Sequence, residues 1–141
     1  MIRGAFPDAG ETTPAALLAA YRELLTTTLS SAVADERATE RLDEDIISAV
    51  EGGEVGNLDL EEAAAVLALD PDRPDADSIA AEARDILLMG MTTAVMDVES
   101  LASAVDNELE PKEIQQKIEG RFPMDLSEYA LLHHTIAART R

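Results

Sequence analysis

At 141 residues with 46% hydrophobic but only 3% aromatic content, the chain suits one compact domain or two very small ones. Its core must come from Ala, Leu, Ile, Val and Met, mostly strong helix formers, so the expected class is all-α. A formal charge of −18, from 29 acidic and 11 basic residues with Lys112 and Lys117 the only lysines, leaves few cations for phosphate contacts and suggests a salt-loving cytoplasm, since in molar salt the Debye length falls to roughly 3 Å. The absence of cysteine excludes disulfides, thiolate zinc sites and thiol nucleophiles.

Residues 1–12 carry Gly, Pro and Asp without periodicity and read as a flexible lead-in. Met1 to Gly10 has one Arg and no apolar h-region, and no apolar run nears the roughly 20 residues of a membrane span, so a soluble, cytoplasmic protein without membrane contact is expected. Thr13-Pro14 reads as a helix start, with Leu17, Tyr21, Leu24, Leu25, Leu29 and Ala32 recurring at three and four to about Val33. A short segment near Asp35 to Leu42 follows, then a helix from Asp43 to Glu51 closed by Gly52-Gly53. Asp59 with Glu62 is a capping box, and Leu58 on Ala63 its hydrophobic staple. DPDRPDAD, residues 70–77, reads as a linker between a first repeat, 13–69, and a second, 78–141. Asp77 should cap a long helix carrying Ile79, Ala83, Ile86, Leu87, Gly90, Met91 and Ala94 on one face. A short helix from Val98 to Val105, a helix opened by Pro111 and stopped at Gly120, and a final helix from Leu126 to Ala138 complete the second half.

The chain echoes itself: IISAVEGGEVGNLDLEEAAAVL from Ile46 to Leu67 returns as IQQKIEGRFPMDLSEYA from Ile114 to Ala130, two residues shorter between the glycine and the Asp-Leu pair. Met124-Asp125-Leu126-Ser127-Glu128-Tyr129 repeats every part of the first helix start. The expected architecture is therefore eight helices, two diverged four-helix, helix-turn-helix-like repeats packed as one compact unit.

In the second half, Leu101-Ala102 with Val105 resembles the first helix of the lambda-repressor-like (Cro and repressor) helix-turn-helix motif. Ile114-Gln115-Gln116-Lys117-Ile118-Glu119-Gly120-Arg121 resembles its recognition helix, and Met124 to Ile136 stands where that family has its fourth helix. The resemblance implies DNA binding by a transcription-regulator-type module. Lys112, Gln115, Gln116, Lys117 and Arg121 would be the contacts, with Gln suited to a bidentate bond to adenine. In the first half the corresponding helix opens on Asp43-Glu44-Asp45, three carboxylates that phosphates would repel. As a whole the chain is similar to a family of small acidic haloarchaeal proteins of unknown function.

Other motifs read more plainly. His133 falls at the repeat position of Leu67, on an apolar face beside Tyr129 and Ile136, which marks it as a packed, hydrogen-bonded histidine. His134 points about 100° away, poor geometry for one shared ion. Glu51 with Glu54, and Glu82 with Asp85, match the letters of magnesium-dependent all-α nucleotide pyrophosphohydrolases, but Gly52-Gly53 keeps the first pair off one helical face. Gly90, between Met89 and Met91, is a place for a neighbouring helix to approach. No catalytic residue, metal or cofactor is expected. Double-stranded DNA is the leading expected partner; the alternative is an acidic protein-interaction module that has lost DNA binding, with a protein partner or a homodimer.

Overall fold

The structure is a computed structural model that describes residues 4–33 and 40–140. Seven α-helices fill the described residues: α1 Pro14–Ala32, α2 Glu44–Gly52, α3 Leu60–Leu67, α4 Ala76–Ala94, α5 Val98–Ala104, α6 Pro111–Ile118 and α7 Leu126–Arg139. No strand occurs among them, and a single 3-10 turn, Val55–Asn57, links α2 to α3. The class is all-α. The short helical segment expected between α1 and α2 falls mainly on 34–39, outside the described residues.

Local chemistry explains most boundaries. Pro14 opens α1 and the Thr13 hydroxyl accepts from the Ala16 N–H at 3.1 Å. Gly53 and Gly120, at φ of +79° and +81°, turn the chain out of α2 and α6 in the left-handed conformation that costs glycine nothing. Both expected capping boxes form: Asp59 accepts from Glu62 N–H at 2.8 Å, Asp125 from Glu128 N–H at 2.7 Å, and each glutamate accepts from the N–H of its aspartate. One cap differs from expectation. Asp75, not Asp77, receives the Ser78 N–H at 2.8 Å; Asp77 then sits in the first turn of α4, where the helix dipole favours its charge, so both carboxylates are used.

The two capped turns meet. Leu60 N–H donates to the Met124 carbonyl at 3.0 Å and Leu126 N–H to the Leu58 carbonyl at 2.8 Å, an antiparallel bridge centred on Asp59 and Asp125. Packing crosses between the halves in the same sense: α3 lies on α4 and α7 on α1, while α6 lies on α5. One core results, joining Leu25, Leu60 and Leu67 to Leu87, Ile114, Met124 and Leu132. Residues 70–75 therefore connect helices within a shared core. The lead-in, expected to be flexible, is docked from Phe6 to Ala9: the Phe6 ring meets Tyr21 edge-on at 4.8 Å, and Ala9 is buried. Among the described residues no single helix is long and apolar enough to cross a membrane.

Candidate functional site

Helix α6 carries the residues nominated for DNA. Pro111 at its first position supplies a fixed φ and Glu113 a favourable first-turn charge, while Ile114 and Ile118, four apart, bury one face in the core. The opposite face holds Lys112 and Gln115, both exposed, with Gln116 and Lys117 half-buried at the flanks. Arg121 follows the glycine stop and is exposed.

Most of this face is engaged within the fold. The Lys117 ammonium lies 3.1 Å from the Glu113 carboxylate and in close contact with Glu128, its side chain only 14% exposed. Burial by itself would lower the Lys117 pKa, but the hydrogen bonds from Glu128 and Glu113 outweigh it and hold the ammonium above its ordinary range. Arg121 pairs with Glu119 at 3.2 Å, and Gln115 donates to the same Glu119 at 3.2 Å. Glu128 has both oxygens in use, one on the Asp125 N–H and one on Lys117. Below this face, Arg84 reaches from α4 to donate to the Lys117 carbonyl at 3.2 Å and to Glu61 at 2.6 Å, which joins the end of α6 to the start of α3.

A second cluster forms around His133. The Tyr21 hydroxyl lies 2.5 Å from His133 Nδ1, with the two rings nearly parallel at 6.2 Å. Tyr129 tilts against His133 at 5.5 Å and donates its own hydroxyl to the Ala83 carbonyl at 2.9 Å. Burial pushes the His133 pKa down to about 3 and the Tyr21 pKa far up. Both groups are therefore neutral at pH 7: the phenol donates, Nδ1 accepts, and the imidazole proton sits on Nε2. His134 turns away, its Nδ1 donating to the Ala9 carbonyl at 2.9 Å. The pair thus serves two different contacts.

The first acidic pair weighed for magnesium is divided by a helix end. Glu51 is in the last turn of α2, whereas Glu54 follows the left-handed Gly53. Among the described residues no group of three His, Asp or Glu side chains converges in a way that could hold a metal ion.

Comparison with known proteins gives a family model, Family of unknown function (DUF5791), that matches residues 17–139. The chain belongs to this family. No curated protein and no solved structure matches it. The DUF5791 match runs from the first turn of α1 to the last residue of α7, so both halves, the α6 face and the Tyr21–His133 pair fall inside it, while Phe6 lies before it.

Within this DUF5791 chain, sequence reasoning picked out Lys117 but neither of its anchors. Glu113 four residues earlier was a legible helical pair. Glu128, eleven residues on and across a turn, and Arg84, on another helix, carried no local signal.

Proposed function

We propose that this chain is a non-enzymatic protein-interaction module, two diverged helix-turn-helix-like units whose acidic surface docks a partner protein with a basic face. The observation that carries this reading is the neutralisation of α6 from within: Lys117 is held by Glu113 and Glu128, and Arg121 and Gln115 by Glu119. DNA affinity arises from cations that release counterions at phosphates, and cations already committed to carboxylates must first give up those contacts. The chain's charge of −18 adds repulsion from a duplex and attraction to a basic protein. A salt-rich cytoplasm is the proposed setting, because there such charge is screened.

The shared order of devices supports the duplication. Helices α1 and α4 are each 19 residues long with a side-chain N-cap immediately before them. Arg22 and Arg84, at the same distance from their caps, approach the left-handed Gly53 and Gly120 respectively. A capping box then follows each glycine.

Fluorescence anisotropy with labelled genomic duplexes and with a labelled oligo-arginine peptide, over a KCl series reaching molar concentrations, tests the reading. The peptide should bind and the duplexes should not, and Glu113→Gln with Glu119→Gln should weaken the peptide more than Asp8→Asn with Glu11→Gln does. Duplex binding that Lys112→Glu removes would overturn it. That outcome would favour the second reading, DNA recognition through α6, for which the exposure of Lys112 and Gln115 is the favouring observation.

A further inference from the structure

Outside the α6 face, the feature with the most chemistry is a cleft of about 270 Å³ where the lead-in crosses α4 and α7. Phe6 and Pro7 form one wall, Ile86, Met89 and Gly90 of α4 the other, and His133 of α7 contributes the imidazole. Ile86, Met89 and Gly90, with Thr93 beyond them, follow one another at three, one and three residues, a single stripe of the helix. An apolar cavity of about 150 Å³ is known to admit benzene, so this volume takes a ring bearing one polar group.

We propose that this cleft binds a small uncharged molecule with an apolar body and a carbonyl-type acceptor, and that the acceptor is recognised by the Nε2–H of His133. Three observations carry it. First, the rings converge here in a chain holding only two Phe and two Tyr: Phe6, Tyr21 and Tyr129 all contact one another or His133. Second, the Tyr21 hydroxyl occupies Nδ1 at 2.5 Å, which fixes both the orientation of the imidazole and its proton on Nε2. Tyr21 is a positioning residue in this arrangement and His133 the ligand-facing donor. Third, among the described residues the lining contains no carboxylate, Lys or Arg. An anion would meet the repulsion of a chain carrying −18, whereas a neutral acceptor needs only the one N–H.

Gly90 shapes the site. A Cβ at this position would stand 2.7 Å from Ile136 Cγ2, so the glycine allows α4 to lie against α7 and holds the cleft walls at their separation. Thr93 donates its hydroxyl to the Met89 carbonyl at 3.0 Å, so what it offers a ligand is an acceptor. A primary carboxamide, accepting from His133 and donating to Thr93, has the complementary pattern.

The test uses three molecules of one shape: benzamide, benzoate and toluene. Side-chain ¹⁵N–¹H spectra of the full chain in molar KCl should show His133 as the Nε2–H tautomer, and benzamide should shift that Nε2–H resonance in a saturable way. Benzamide should bind about tenfold tighter than either analogue, the discrimination that one hydrogen bond of ordinary worth confers. Tyr21→Phe, which keeps the ring but frees Nδ1, should weaken benzamide several-fold and leave toluene unchanged. Met89→Trp, at a half-exposed position, should fill the cleft and remove all binding without disturbing the core. An Nδ1–H tautomer in the wild type, equal affinity for the three probes, or no shift at His133 would each overturn the proposal.

Discussion

The α2–α3 and α6–α7 pairs are built by the same backbone devices and differ in what their side chains do with charge. Each pair leaves its first helix through a left-handed glycine, and each opens its second helix with an Asp–Glu capping box. Around Glu62 the box is the side-chain interaction that occurs among the described residues. Around Glu128 the same carboxylate also receives Lys117, and Lys117 in turn bonds Glu113. Position 67 against 133 repeats the lesson: Leu67 is fully buried apolar packing, and His133 is a hydrogen-bonded ring beside a cleft. Backbone signals are thus shared between the pairs, while the Lys117 ion pairs and the hydrogen-bonded imidazole belong to the second alone.

The largest way to break the comparison is in the core. Ile114 is completely buried and Ile46 is 7% exposed, so Ile114→Ala should cost about 3–4 kcal/mol and Ile46→Ala about 2 kcal/mol in urea unfolding, the higher burial leaving the larger cavity. Equal costs would mean that the two pairs share the core evenly. The next test is pH. His133 has a native pKa of about 3 against 6.5 as its ordinary value, so below 6.5 the unfolded chain takes up a proton that the native ring refuses. Its contribution is fully present above pH 6.5 and is lost progressively down to about pH 3, at a slope approaching 1.4 kcal/mol per pH unit. His133→Leu, which restores the residue type found at the matching position of the first half, should remove that share of the slope; an unchanged pH profile would show that carboxylates alone set it.

Smaller effects sharpen the contrast between the capping boxes. Asp59→Ala and Asp125→Ala should each cost about 1 kcal/mol, as lost N-caps do. Glu128→Gln should cost more than Glu62→Gln, because only the former also weakens the hold on Lys117. The smallest expected difference is Lys117→Met, about 0.5–1 kcal/mol, since its carboxylate partners are partly exposed and screened. A larger loss would make the Lys117 triad a principal fastening of α6.

Legibility followed sequence distance. Thr13, Asp59, Asp125, Gly53 and Gly120 act within a few residues of themselves, and each had a mechanism visible in the chain. The choice of Asp75 over Asp77 was not legible, since two aspartates offered the same cap. The docking of Phe6 to Ala9 was hidden because the segment has no periodicity; its contacts run to Tyr21 on α1 and to His134 on α7, 125 residues from Ala9. Of the nominated α6 residues, the pairing of Lys117 with Glu113 was readable at four residues, but the Glu128 contact depended on how α7 leaves its turn.

By itself the sequence determined the all-α class, the helix ends and the apolar stripes, because these depend on propensities and caps that operate over three or four residues. Tertiary structure alone decided that α3 crosses to α4 and α7 to α1, that Lys117 is closed between two carboxylates, and that Tyr21 meets His133 from 112 residues away. Those contacts arise from packing between helices, where the position of one side chain is set by residues with no sequence relation to it.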